Sequence, residues 1–315
     1  MKRLRVVVIG VGYLGRFHAE KYAAIPEAEL VGIVDIDPTR AALIAAKLNT
    51  TAFSDPAHMF EQVDAVSIAV PTALHHSVAK QFLEQGVHIL LEKPMAVTLE
   101  QADELIGLAA QKGLTLQVGH IERFNPAVTA VKTFLKSPRY MTAERSAPFT
   151  VRCTDVNVIL DLMIHDLDIV TDFAGAEPRE VSAAGTSFIT KEIDIASARV
   201  IFKNGCVADI TASRVSDEKK RLLRVFDGDS VYISDYQTQK AAVARRSGNA
   251  VPELVVSDVS TDRLDTLGEE VRAFVKSVGA KTRPVVSGVE GRRALALARK
   301  ITETIENGIT GFVQV

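Results

Sequence analysis

The sequence predicts an α/β chain, with an N-terminal doubly wound parallel sheet over residues 1–122 and an α+β module with a largely antiparallel sheet over 123–315. Three observations predict it. Short β-branched runs alternate with helical stretches over the first 120 residues, the pattern of parallel strands joined by crossover helices. Beyond that point strands arrive in hairpin order, with Asn204-Gly205 and Asp227-Gly228 as tight-turn signals. The length of 315 residues, 47% hydrophobic and 24% charged, suits two compact soluble domains.

Six strands are expected in the first module: Arg5–Gly10, Leu30–Asp35, Thr51–Phe53, Ala65–Val70, Val87–Leu91 and Leu114–Val118. Asp37-Pro38 and Asp55-Pro56 each place a side-chain oxygen at a helix cap and a proline in the first turn. Thr98-Leu99-Glu100-Gln101 is a capping box, and Gly86 and Gly113 stand where helices must release the chain into the next strand. In the second module Asn125-Pro126 opens a helix, and a buried helix is expected near 160–173. Strands Ile195–Lys203 and Cys206–Ser213 form one hairpin, Leu222–Phe226 and Ser230–Ser234 another, and helices over about 265–278 and 288–306 complete the module. Gln237–Asp262 is weakly patterned and reads as a long loop or an irregular edge.

Charge and cysteine usage narrow the function. With 37 basic and 39 acidic residues and no long run of one sign, there is no footprint for nucleic acid or an anionic membrane, so a small-molecule partner is expected. Cys153 and Cys206 are too few for a disulfide framework or a four-thiolate metal site, which points to the cytoplasm. The basic Met1–Arg5 and apolar Val6–Ile9 start like a signal peptide, but Gly10 and Gly12 interrupt the run, and no stretch approaches the roughly 20 apolar residues that span a bilayer.

Gly10-Val11-Gly12-Tyr13-Leu14-Gly15 fits G-x-G-x-x-G between a strand and a helix. Gly10 allows the tight turn, Gly12 lets backbone amides approach a pyrophosphate, and Gly15 lets helix and strand pack closely. Asp35 ends the second strand 20 residues after Gly15, where a carboxylate accepts hydrogen bonds from a ribose and repels a 2′-phosphate; NAD is therefore expected over NADP. Asp37 is read as a helix cap. Arg40, one turn into that helix, leaves NADP open, although a solvated arginine is the plainer reading.

Glu92-Lys93-Pro94 follows the fifth strand at the carboxyl edge of the sheet, where doubly wound folds place their ligands. A partly desolvated lysine beside a nicotinamide can take a proton from a substrate hydroxyl; the plainer alternative is a strand-end lysine paired with Glu92. Asp161, His165, Asp168 and Asp172 recur at i, i+4, i+7 and i+11, so an α-helix would carry them on one face among Leu160, Leu162, Met163, Ile164, Leu167, Ile169 and Val170. Burying such a stripe is costly unless the groups pair, bind or react, and His165 with Asp161 is a proton-handling pair on that reading. A metal site and a solvent-facing stripe are the alternatives. Gly119-His120-Ile121-Glu122-Arg123-Phe124-Asn125-Pro126 links the modules and is expected to face the cleft between them, with Arg123 toward an anionic substrate group or Asn125 simply capping a helix.

Gly10-Val11-Gly12-Tyr13-Leu14-Gly15, Asp35, Val70-Pro71-Thr72 with His75, Glu92-Lys93-Pro94, and Asp161 with His165 together resemble the Gfo/Idh/MocA oxidoreductase family over essentially the full length. The resemblance implies a Rossmann domain followed by an open-faced antiparallel sheet often used to form homodimers or homotetramers. It implies Lys93, Asp161 and His165 as the catalytic group and NAD contacts from Gly10, Gly12, Tyr13, Leu14, Gly15, Asp35, Val70, Pro71, Thr72, His75, Glu92 and Lys93. Lys93, His120, Arg123, Asn125, Asn157, Asp161 and His165 are the substrate-binding candidates. Asp155-Val156-Asn157 and Met163 stand where the family commonly has glycines, which alters the pocket wall. The segments 119–126 and 161–166 are similar to a branch that oxidises the 3-hydroxyl of UDP-N-acetylglucosamine to a 3-keto nucleotide sugar for later amination, for example toward lipid A sugars. A dehydrogenase of a free sugar or inositol, and a non-catalytic dinucleotide-binding redox sensor, are the rival expectations.

Overall fold

The structure is a computed structural model that describes residues 3–150, 156–247, 253–308 and 311–315. Its first sheet is built from β1 (Leu4–Ile9), β2 (Ala28–Val34), β3 (Thr51–Phe53), β4 (Ala65–Ile68), β5 (His88–Glu92) and β6 (Leu116–Gly119), all parallel, in the order β3-β2-β1-β4-β5-β6. The reversal of strand order beside β1 places the ends of β1 and β4 together, the crevice where doubly wound sheets bind ligands. Between the strands run α1 (Gly15–Ala24), α2 (Pro38–Leu48), α3 (Thr72–Glu84) and α4 (Leu99–Lys112). Asp37 caps α2, and Thr98 and Gln101 close the expected capping box on α4. Asp55-Pro56 opens only a 3₁₀ turn, Pro56–Met59.

The second sheet follows α5 (Pro126–Phe134), which Asn125 caps. Its elements are β7 (Tyr140–Ser146), α6 (Ile164–Ala174), β8 (Pro178–Thr186), β9 (Ile195–Phe202), β10 (Val207–Ser213), β11 (Lys220–Asp227), β12 (Ser230–Asp235), β13 (Lys240–Ser247) and β14 (Glu253–Val259). Both expected hairpins form, β9 with β10 and β11 with β12. Pairing is antiparallel except between β7 and β10. Alternate residues of β7, β9 and β10 are buried, and Ala198, Val200, Ala208 and Ile210 share a core with Ile164, Leu167 and Val170 of α6. Gln237–Asp262 takes the second of its two expected forms, an edge rather than a long loop: its described residues include β13 and β14, paired at one edge of this sheet. Burial on β13 falls on Ala241, Val243 and Ala244, whereas most of β14 is exposed, which is why periodicity left the segment unmarked.

Two terminal helices, α7 (Thr266–Ala280) and α8 (Gly288–Glu306), lie close to their expected positions, and β15 (Val313–Gln314) pairs with β8. Their allocation differs from the expectation that both complete the second module. The chain divides into one compact unit of residues 1–121 and 265–292 and another of 122–264 and 293–315. The reason is apolar cover: Val271, Phe274, Val275 and Val278 of α7 share a core with Val6, Val8, Ala19, Tyr22 and Ile33 of the parallel sheet and α1.

Candidate active site

In the first unit the glycine loop is shaped by close approach. Gly10 sits at φ +80°, with its Cβ position 2.9 Å from the Ala69 carbonyl oxygen, and a Cβ on Gly15 would come within 1.8 Å of the Gly10 oxygen. Gly12 is different: a Cβ there meets nothing within 4 Å. Asp37, Thr98 and Asn125 cap α2, α4 and α5 with their side chains, whereas no side chain caps α1. An uncapped helix start beside open space at Gly12 fits a pyrophosphate. Tyr13 and Leu14 are exposed on this loop, with the Arg16 guanidinium 5.3 Å from the Tyr13 ring.

Asp35 is buried and heavily engaged. Its Oδ2 accepts from the Val11 amide (2.8 Å) and Arg40 Nε (3.2 Å), and its Oδ1 accepts from the Asp37 amide (2.9 Å) and Arg40 Nη2 (2.7 Å). Burial acts to raise this carboxyl, but Arg40 and the two amides outweigh it and hold it below the ordinary carboxylate value. Arg40 is therefore the exposed arginine expected and also a partner of Asp35, whose carboxylate accepts four hydrogen bonds within the unit.

Val70, Pro71 and Thr72 lead into α3, and His75 lies one turn inside it. The His75 ring is 1% exposed, with Nε2 2.9 Å from the Val70 oxygen and Nδ1 2.8 Å from the Pro94 oxygen. Burial pushes the imidazole below its ordinary value. His75 thus braces the loop after β4 against the loop after β5, a support for the expected cofactor-binding segment more than a surface of it. Glu92 meets His18 Nε2 at 2.9 Å and accepts from the Lys93 amide at 3.2 Å, and the Lys93–Pro94 peptide is cis. Lys93 is partly exposed, and His120 at the end of this unit is buried.

In the second unit the expected α-helical stripe divides. Ile159–Met163 is a π turn that leads into α6, so the simple i, i+4 spacing does not hold across it. Asp168 and Asp172 are both bound by Arg123, the first at 2.8 Å through Nε, and Lys132 meets Asp172 at 2.7 Å. Asp161 and His165, the other two members, are half-buried. Asp166 is a residue that sequence reasoning missed: its carboxylate takes Arg145 Nε at 2.7 Å and Nη2 at 3.2 Å. Arg145 and Arg221 each reach Glu122 at 3.2 Å. Burial pushes the Asp166 carboxyl above its ordinary value even beside Arg145. Its signal was available, since an acid next to His165 in an otherwise apolar helix requires a buried cation.

Three substrate-binding candidates are engaged within the protein. Arg123 is spent on Asp168 and Asp172. Asn125 accepts from the Ala127 amide and donates to Glu122 and the Tyr236 carbonyl. Asn157 accepts from the Leu160 amide, and its Nδ2 lies 3.4 Å from Thr302 Oγ1. Each is buried and paired within its own unit, the usual state of a buried amide or guanidinium. Cys153 and Asp155 lie outside the described residues.

Comparison with known proteins places this geometry. Residues 4–120 match the model of an oxidoreductase family with an NAD-binding Rossmann fold, and residues 128–232 match the Gfo/Idh/MocA C-terminal domain. The chain belongs to the Gfo/Idh/MocA oxidoreductase family. It is 41% identical over 310 residues to the UDP-N-acetylglucosamine 3-dehydrogenase of Acidithiobacillus ferrooxidans, covering 97% of this chain and 98% of that one. A solved structure of that enzyme superposes with a TM-score of 0.93 at 40% identity, over 98% and 99% of the two chains. The scyllo-inositol 2-dehydrogenase (NAD(+)) of Bacillus subtilis is 27% identical over 328 residues, covering 98% and 95%. Family membership makes the chain an NAD-binding oxidoreductase, with the cofactor on the glycine-loop unit.

Proposed function

We propose that this chain oxidises the 3-hydroxyl of UDP-N-acetylglucosamine to a 3-keto nucleotide sugar. The observation that carries the reading is similarity to the Acidithiobacillus ferrooxidans enzyme along nearly the whole of both chains. Lys93, Asp161 and His165, the residues for which the family resemblance implies catalysis, support it.

When bound, NAD supplies the hydride acceptor. On this reading the loop Gly10–Gly15, Asp35 and the segment Val70–Thr72 hold the dinucleotide, and His75 keeps the last of these in place. Lys93 or His165 takes the hydroxyl proton, and Asp161 orients the imidazole. The buried pairs of Asp166 with Arg145, and of Asp168 and Asp172 with Arg123, fix the rotation of α6 and so the direction of His165.

A free sugar or inositol as substrate is the second reading, favoured by the inositol dehydrogenase relative. No helix among the described residues is long and apolar enough to cross a membrane. We place the enzyme in the cytoplasm as a homo-oligomer, with its nucleotide-sugar product passing to an amination step.

The test is incubation of purified protein with NAD and UDP-N-acetylglucosamine, reading NADH absorbance and the sugar's loss of two hydrogens by mass spectrometry. A keto acid is added in parallel, to reoxidise NADH that stays bound. A keto nucleotide sugar in either reaction is the expected result. No product in both overturns the assignment and leads to free sugars and inositols, with the redox-sensor reading next.

A further inference from the structure

One face of the parallel sheet carries polar side chains where apolar cover is the rule. Ser67 on β4, Glu92 on β5 and Gln117 on β6 meet His18 and Tyr22 of α1 and Glu270 of α7, and all six are buried. Tyr22 Oη lies 3.0 Å and His18 Nδ1 3.2 Å from Ser67 Oγ, while His18 Nε2 meets Glu92 Oε1 at 2.9 Å. The Glu92 carboxyl fills the space above Gly119, where an added Cβ would approach it to 3.1 Å. Donor atoms of His18, Glu92 and Glu270 lie within 4.8 Å of one another.

Glu270 is the anomaly. It is 0% exposed, and among the described residues neither of its carboxyl oxygens has a hydrogen-bond partner. Gln117 Nε2 donates to the Glu270 backbone oxygen at 3.2 Å, but Gln117 Oε1 is likewise buried and unpartnered. With Glu270 ionised, all three unpartnered atoms are acceptors and two buried carboxylates face one imidazole, an arrangement that desolvation and repulsion both oppose. One proton on Glu270 supplies the missing donor and removes the repulsion. A divalent cation would also neutralise the pair, but both nitrogens of His18 already have partners, Ser67 and Glu92.

We propose that Glu270 is held as a neutral acid in the folded protein and is a positioning residue, whose proton keeps the Glu92–His18 pair in one charge state and so steadies the strand end that carries Lys93. The positioning role rests on the reading of Lys93 given above; the protonation does not. Burial first, and the neighbouring Glu92 charge second, drive the Glu270 carboxyl well above its ordinary value, while Glu92 is held below its own. The titratable groups around Glu270 are His18 and Tyr22 from α1 and Glu92 at the end of β5, with Lys93 next in sequence to Glu92. A carboxyl raised in the folded state contributes stability that is whole below the unfolded carboxylate range and is lost as pH rises through the folded value. The wild type therefore loses stability relative to Glu270→Gln as pH climbs from the unfolded carboxylate range through the raised value that Glu270 has in the folded protein.

The experiment uses the full chain loaded with NAD. Infrared difference spectra of wild type against Glu270→Gln at neutral pH should show a carboxylic-acid C=O band that the variant lacks, and its absence overturns the proposal. Elemental analysis showing a stoichiometric divalent metal that Glu270→Gln releases overturns it in favour of a cation site. Glu270→Leu, which removes the donor, should lower kcat about tenfold or more with KM little changed and shift the pH profile, because small misplacement of a reacting group is costly. Glu270→Gln should restore both. Equal damage by Gln and Leu overturns the positioning role. The infrared, metal and stability readouts need no turnover, so an enzyme inactive on UDP-N-acetylglucosamine fails the substrate reading and leaves the protonation test intact.

Discussion

The two units neutralise buried acids by different means. The second unit answers them with guanidinium groups: Arg145 for Asp166 and Glu122, and Arg123 for Asp168 and Asp172. The first unit, on the sheet face under α1 and α7, sets two carboxyls against a single histidine. Arginine cannot lose its charge at any pH a protein survives, whereas a histidine and a carboxyl pair can trade protons. The second unit's pairs hold a helix by permanent charge, and the first unit's cluster, on the proposal above, holds its charge state by one proton next to the strand end that carries Lys93.

The contrast can be broken most severely at the residues proposed to react. Lys93→Ala in the first unit and His165→Ala in the second are each expected to reduce kcat/KM about 10²–10⁴-fold, the usual worth of a general base. Whichever variant keeps wild-type turnover is thereby removed from the mechanism. Next in size, Asp166→Ala leaves Arg145 buried with Glu122 as its one acidic partner among the described residues and should cost about 3–5 kcal/mol in urea unfolding. Glu270→Gln at neutral pH should cost far less, and a comparable loss there would erase the distinction between the two modes of neutralisation.

The glycine loop separates packing from binding. Gly15→Ala forces a Cβ into the Gly10 carbonyl and is expected to cost about 1–3 kcal/mol or more, seen as a lower Tm. Gly12→Ala meets no neighbour, so its Tm should stay close to wild type while NADH affinity, read by fluorescence titration, falls about tenfold. The smallest effect is expected at Arg40. Its side chain is 42% exposed, so Arg40→Ala should change stability by less than about 1 kcal/mol. It also frees two acceptor positions on Asp35 and should lower the KM for NAD modestly. A raised KM would instead show that the guanidinium itself touches the cofactor.

These differences explain what the sequence could and could not disclose. The strand–glycine loop–helix unit was legible because it is written in one short stretch: Gly10–Gly15 lies directly between β1 and α1, and a Cβ on Gly15 would meet the nearby Gly10 carbonyl. Asp37, Thr98 and Asn125 were readable as caps for the same reason. The roles of Arg123, Arg145 and Glu270 were not, because their neighbours lie 21 to 252 residues away, as in Arg145 with Asp166 and Glu270 with His18. The π turn at Ile159–Met163 was not legible either, since a wheel drawn at 3.6 residues per turn assumes an α-helix throughout. Helix α7 was found but assigned to the wrong unit, because an amphipathic pattern announces an apolar face without naming what will cover it.

That last allocation bears on how the protein is made. Domains tend to fold as they emerge from the ribosome, amino-terminal first. Here the parallel sheet is complete in sequence at Gly119, yet the helix that covers Val6, Val8 and Tyr22 and delivers Glu270 begins at Thr266. During the interval of translation between them, one flank of the nascent sheet lacks its lid and the Glu92–His18 pair lacks its third member. The nucleotide-binding unit is therefore finished late, after most of its partner unit has been synthesised.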